Sequence, residues 1–187
     1  MLMLSPAKIN LGLKILFKRP DGYHELISVF LKLNWGDDME FISLPEQKMS
    51  LESIVELTGR QKEDYIAVSE QGNISKNILH KAYVRSLDRN PNLPGVHIKL
   101  TKRISPGGGL GGGSTNAASL LKFLFPEETQ NPNPDFLQFA SGIGADVPFF
   151  LGDGHSLVTG IGEKNFTPFS SKHLFMKDSQ SFFTLSL

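Results

Sequence analysis

Between Ala7 and Phe17 apolar side chains take every second position: Ile9, Leu11, Leu13, Ile15 and Phe17 alternate with Lys8, Asn10, Gly12 and Lys14. A period of two predicts a half-buried strand, with Lys8 and Asn10 together on its other face. Arg19-Pro20-Asp21-Gly22 then reads as a turn, since proline presets φ and Asp-Gly tolerates a reversed backbone. A second strand follows with Ile27, Val29, Leu31 and Leu33 on one side, and separate strands are expected over Asp38 to Leu44 and near Leu51 to Leu57. The polar stretch Arg60 to Gln71 reads as a loop.

Helical spacing begins at Ile78. Ile78, Leu79, Ala82, Tyr83 and Leu87 form one stripe, with Asn77 placed to cap it, and Asn90 to Gly95 breaks the chain again. Val96, Ile98 and Leu100 alternate with His97, Lys99 and Thr101, so a strand leads into a run of glycines. Beyond the glycines, Ala117, Ala118, Leu121, Leu124 and Phe125 predict a helix from Ser114 to Phe125 that opens at Ser114 or Thr115. Asn133 and Pro134 supply the N-cap and first position of a short helix ending near Gly142, and Gly144 to Pro148 is a tight segment. Phe149 and Phe150 are expected in the core. Strands mixed with single helices predict an α+β fold, a mixed β-sheet packed with helices.

Composition narrows the chemistry. Nineteen basic residues balance nineteen acidic ones across 187 residues, so no net field favours a nucleic acid. Cysteine is absent, which fits a reducing cytoplasm and excludes disulfides and thiolate metal sites. The histidines at 24, 80, 97, 155 and 173 show no metal-ligand spacing. The amino terminus has no basic region before a long apolar run, and no stretch approaches the ~20 apolar residues of a membrane span. A cytoplasmic protein is expected.

The glycine run carries the chemistry. Strand, then Ser105-Pro106-Gly107-Gly108-Gly109-Leu110-Gly111-Gly112-Gly113-Ser114-Thr115, then helix, lets the backbone approach a ligand and turns its N–H groups inward beside a helix start. That is an anion site; a flexible linker rarely joins a strand to a helix. Gly107, Gly109 and Gly112 also satisfy the dinucleotide fingerprint, but no apolar strand precedes the acids Glu127 and Glu128 where that fold requires one. A Walker loop lacks its Gly-Lys-Ser/Thr, and the protein-kinase segments His-Arg-Asp and Asp-Phe-Gly are missing.

Taken together, Ser5-Pro6-Ala7-Lys8-Ile9-Asn10-Leu11, Arg19-Pro20-Asp21-Gly22-Tyr23-His24-Glu25-Leu26, the loop Gly107 to Ala118, and Ile143-Gly144-Ala145-Asp146-Val147-Pro148-Phe149-Phe150 resemble the GHMP kinase superfamily. Within it, Pro6-Ala7-Lys8-x-Asn10 and Asp21-Gly22-Tyr23-His24 narrow the resemblance to kinases of a cytidyl-linked methylerythritol. The resemblance implies transfer of the γ-phosphoryl group of ATP, with Mg²⁺, to the 2-hydroxyl of that alcohol, in a route to isoprenoid precursors. It implies Asp146 as the base that receives the hydroxyl proton and Lys8 as its cationic partner. It further implies Asn10 in contact with substrate, Tyr23 and His24 around the cytosine ring, and residues Ser105 to Thr115 around ATP. Lys8 as a solvated strand residue, Asp146 as a mere turn cap, and Tyr23 and His24 as ordinary hairpin residues are the structural rivals.

Two departures accompany the resemblance. The family usually writes Leu-Pro-x-Gly at the loop's start, whereas Ile104-Ser105-Pro106-Gly107 places proline one residue later and moves a restricted φ towards the glycines. The family also has a second domain of comparable size, and nothing after Gly162 resembles it. The expected organisation is a nucleotide-binding domain over 1–165 and the start of a truncated domain over 166–187, with a strand at His173 to Met176. The alternative is a remnant that at most binds nucleotide.

Overall fold

The computed structural model describes residues 1–20, 22, 24–56, 77–152, 154–160 and 164–169, and of Leu13, Leu26 and 164–169 the backbone alone. The segments expected as a loop at Arg60 to Gln71 and as a strand at His173 to Met176 lie outside the described residues.

β1 (Leu2–Lys18) and β2 (His24–Leu44) form a long antiparallel pair joined by the expected turn, where the N–H of Gly22 donates to the carbonyl of Arg19 at 3.1 Å and Gly22 takes φ +86°. β3 (Met49–Val55), β4 (Gly95–Lys102), β5 (His155–Gly160) and β6 (Lys164–Phe169) complete a six-stranded sheet in the order β3-β4-β2-β5-β6, with β1 also on β2. β3 runs parallel to β4 and every other pairing is antiparallel, so the expected mixed sheet is present. β6 continues the sheet across the boundary expected at residue 165.

β2 corrects the expectation of two separate strands, one through Leu33 and one from Asp38. It is continuous because β1 accompanies it on both sides of the gap, while its other edge changes partner: Leu26 to Phe30 face β5, and Asp38 to Leu44 face β4. At Gly36 the two long strands touch so closely that a Cβ would stand 2.0 Å from the carbonyl oxygen of Ser5.

β1 departs from its expected burial. Ala7 and Lys8 are buried, while Ile15 and Phe17 are 59% and 58% exposed. Register shifts between Pro6 and Lys8, Asn10 and Gly12, and Ile15 and Phe17 break the alternation, and the far end of the β1–β2 ribbon has left the helices behind.

α1 (Ile78–Arg89), α2 (Gly112–Leu124), α3 (Pro134–Ile143) and α4 (Val147–Leu151) pack on one sheet face. Asn77 and Asn133 cap α1 and α3 as expected, their side chains accepting N–H bonds from Leu79 and Phe136. Met39 and Phe41 of β2 and Val96, Ile98 and Leu100 of β4 meet Leu79, Ala82 and Tyr83 of α1 and Leu120, Leu121 and Leu124 of α2 in one buried cluster. Phe136 and Ala140 of α3 extend it, as do Phe149 and Phe150 of α4. α4 was not expected as a helix: five residues are too few for a periodic signal. Ser5 of β1 and Ser119 of α2, both buried, pair hydroxyl to hydroxyl at 2.7 Å and fix the sheet edge against the loop's helix. Among the described residues no helix is long and apolar enough to cross a membrane.

The contact at Gly36 leaves no room for a methyl group. Gly36→Ala should lower the unfolding free energy by roughly 1–3 kcal/mol, as overpacking does, and Asn133→Ala by about 1 kcal/mol through the lost cap. Urea unfolding of each variant measures both.

Candidate active site

The loop from Ser105 to Gly111 leaves β4 and returns as α2. Its conformation requires glycine at position 111, where φ is +75° and a Cβ would stand 2.8 Å from the ring of Phe150 and 3.2 Å from Cγ of Lys8. Gly111 is the N-cap of α2, with no side-chain bond, and the N–H of Thr115 donates to its carbonyl at 2.9 Å. The helix therefore opens two residues earlier than expected from Ser114 or Thr115. No hydroxyl is needed at a cap that only glycine can adopt, so Gly112 and Gly113 are helical and their N–H groups belong to the exposed positive end. Pro106 ends the approach to the glycines; Ile104, two residues before it, is fully buried and anchors the loop's entry.

β1 crosses the loop at Lys8, whose backbone N–H donates to the carbonyl of Leu110 at 2.9 Å. The bulge between Pro6 and Lys8 turns this amide out of the β1–β2 ladder and towards the loop. The side chain of Lys8 is 7% exposed, lies over the ring of Phe30 at 4.1 Å from its centre, and donates from Nζ to Oδ1 of Asn10 at 2.7 Å. Its ammonium stands 3.6 Å from Oδ2 of Asp146. Lys8 is thus no solvated strand residue, and Asn10 shares its side of the strand as expected.

Asp146 occupies the N-cap of α4, but its carboxylate makes no capping bond and remains directed to Lys8. The turn that carries it packs on the loop helix: a Cβ on Gly144 would lie 3.3 Å from Ile78 and 3.6 Å from Oγ of Ser114. At the other end of α4, Nζ of Lys32 donates to the carbonyls of Gly152 and Phe150. A cation at the last carbonyls steadies so short a helix, and with it the position of Asp146. Phe149 meets Phe30 edge to face at 5.2 Å, so the ring beneath Lys8 and the helix below Asp146 belong to one packed unit.

Lys8, Asn10, Asp146 and the loop Ser105 to Thr115 are therefore assembled in one place. His24 is not among them: it opens β2 opposite Lys18 and is exposed, whereas Asn10 stands opposite Phe30. The two positions are separated along β2 by roughly 20 Å at ~3.3 Å per residue. Tyr23 lies outside the described residues. Oγ1 of Thr115 is buried without a hydrogen-bond partner among the described residues, as is Oδ1 of Asn116 beside it.

Sequence reasoning missed Lys32 and the buried pair of Asp37 and Lys102 behind the loop. A signal for the pair was present. Asp37 is in phase with Met39 and Phe41, and Lys102 with Val96, Ile98 and Leu100, so each charge sits on the buried side of its strand. Next to Lys102, Arg103 turns its side chain outward, where hydrogen bonds to Glu56 and then to Asp38 push its guanidinium above its ordinary value.

Comparison with known proteins agrees with this geometry. Residues 77–154 match the family described as the GHMP kinases N terminal domain. The chain is 55% identical over 161 residues to the 4-diphosphocytidyl-2-C-methyl-D-erythritol kinase of Leptospira interrogans, covering 86% of this chain and 54% of that protein. It is 43% identical over 165 residues to the protein of the same name from Leptospira biflexa, again covering 54% of it. A crystal structure of 4-(cytidine 5'-diphospho)-2C-methyl-D-erythritol kinase superposes with a TM-score of 0.66 at 34% identity, over 91% of this chain and 55% of that one. The chain thus spans about half the length of the curated relatives it matches. β4, the glycine loop, α2 and the Asp146 turn all lie within the residues that match the GHMP kinases N terminal domain, and the mixed sheet with its helices shares the fold of that solved kinase.

Proposed function

We propose that the chain binds ATP through Ser105 to Thr115 and serves phosphorylation of the 2-hydroxyl of 4-diphosphocytidyl-2-C-methyl-D-erythritol, a step towards isoprenoid precursors. The observation that carries this reading is the ion pair of Lys8 and Asp146 at 3.6 Å, held beside a glycine loop to which Lys8 is also bonded through its backbone. The names of the relatives supply the substrate, and the Pro6-Ala7-Lys8-x-Asn10 strand and the Asp21-Gly22-Tyr23-His24 turn favour the same one.

Phosphoryl transfer asks chiefly for position and charge compensation. In this reading the substrate oxygen bonds to the γ-phosphorus, the bond from that phosphorus to the β–γ bridging oxygen breaks, and the hydroxyl proton passes to the Asp146 carboxylate. Lys8 compensates the charge on the attacking oxygen, and Asn10 orients both Lys8 and the substrate. The N–H groups of the loop and the first turn of α2 take the phosphates. In the same reading His24 and Tyr23 receive the cytosine.

Mg²⁺ would accompany the nucleotide and neutralise charge on its phosphates. Among the described residues no group of three or more histidines and carboxylates could hold a metal ion by itself. The hydroxyl of Thr115, buried without a partner among the described residues, is the protein oxygen that would fit it. A nucleotide-binding domain over 1–165 and a cytoplasmic location belong to the same proposal. A second reading is that this chain binds nucleotide with little turnover.

Three measurements separate these readings. Calorimetry should detect ATP binding by the 187-residue chain, and Gly111→Ala should weaken it at least about tenfold, a loss of ~1.4 kcal/mol. Phosphorylation of the cytidyl alcohol by the same chain decides between the first reading and the second. Where turnover is measurable, Asp146→Asn should lower it by roughly 10²–10⁴ with ATP affinity little changed; turnover near normal would remove the base role.

A further inference from the structure

The roles proposed above leave unused a second pair of opposite charges, and it lies behind the loop. Asp37 of β2 is 0% exposed and Lys102, the last residue of β4, is 5% exposed. Charges so fully withdrawn from water are tolerated only when matched atom for atom. Oδ2 of Asp37 accepts from Nζ of Lys102 at 2.5 Å, and Oδ1 accepts the backbone N–H groups of Arg103 at 2.7 Å and Ile104 at 2.8 Å. Those two amides immediately precede Ser105, where strand becomes loop. The ammonium reaches the loop's other end: a Cβ on Gly112, the first residue of α2, would stand 2.9 Å from Nζ of Lys102. A single ion pair therefore grips the chain on entering the loop and on leaving it.

We propose that Asp37 and Lys102 are positioning residues of the nucleotide site. Their bond sets the distance between the loop's entry at 103–104 and its exit at Gly112, and so the arc along which the loop presents its N–H groups. The need for such a device follows from the glycines themselves. A glycine segment has more conformational freedom to lose on meeting a ligand than any other, and fixing its two ends in advance removes part of that loss. A carboxylate suits the task because it takes two amides and an ammonium at once, which no neutral side chain can do. The inference rests on the nucleotide-binding reading for its ligand, but not for its geometry.

Asp37→Asn keeps the shape and removes the charge, and Lys102→Met keeps the stem and removes the ammonium. Hydrogen exchange on the whole 187-residue chain can follow the amides of Lys8 and Thr115, bonded to Leu110 and Gly111, against those of Val96 and Phe125, bonded to Lys48 and Leu121. In either variant Lys8 and Thr115 should exchange at least about tenfold faster while the reference amides change by no more than about twofold, the pattern of a local rather than a global opening. ATP affinity should fall at least about tenfold in parallel. Unchanged exchange at Lys8 and Thr115, equal acceleration at all four amides, or unchanged ATP affinity would overturn the proposal. If one variant fails to fold the other decides, and failure of both assigns the pair to the fold alone and also overturns it. Should the unaltered chain not bind ATP, the nucleotide reading falls, and the exchange rates still decide whether the pair positions the loop.

Discussion

The hydrogen bond from the backbone N–H of Lys8 to the carbonyl of Leu110 joins β1 to the body of the glycine loop, and the site depends on it. Neither partner could make the site alone. Without the bond the loop would be held only at its ends, and β1 would pass it as an ordinary edge. With it, one residue does two things: its backbone holds the loop and its side chain reaches Asp146. The geometry demands glycine at 111, since any Cβ there would press on both Phe150 and the stem of Lys8. Lysine also suits the position physically. A compact ammonium on a flexible stem can lie over Phe30 and still meet Asn10 and Asp146, whereas a planar guanidinium would need partners arranged as a fork.

What the sequence disclosed was what is local. Asn77 and Asn133 act as caps because a side chain two or three residues from an orphan N–H needs no help from the rest of the fold. The glycine loop announced itself for the same reason. The start of α2 was misplaced because its cap is a backbone conformation at Gly111, which leaves no hydroxyl or carboxamide to read. β2 was divided in two because Asn34, Trp35 and Gly36 interrupt the pattern of its side chains, while continuity is imposed by a neighbour far along the chain. The burial of β1 was legible only in part for a related reason: Ile9 and Leu11 are half-buried as expected, but Lys8 is buried and Ile15 and Phe17 are exposed. Alternation shows that two faces differ, but bulges and the absence of helices over the ribbon decide which residues are covered.

The site was legible as a set of residue types and only partly as a place. Lys8 and Asn10 were paired by strand spacing, and the structure bears that out with a bond between them. Asp146 could not be joined to them by periodicity, because it stands 138 positions along the chain from Lys8 and the contact is made by packing α4 on Phe30. Lys102 and Asp37 were passed over because charges on strands are ordinarily solvated; their phase with apolar neighbours was the only trace.

The dinucleotide alternative fails in the structure on the ground that the sequence suggested. Such a site needs the helix after the glycines to lead into a parallel strand whose end presents an acid to a ribose. Here α2 runs into a turn instead, where the N–H of Thr129 bonds to the carbonyl of Phe125, and α3 follows. The acid in that region, Glu128, is engaged at 2.7 Å by Arg89, and this hydrogen bond more than any other influence holds the guanidinium above its ordinary value. A loop that cannot continue into a second nucleotide half must use what lies beside it. Beside it are a cation and a carboxylate 3.6 Å apart, the pair on which the proposed phosphoryl transfer rests.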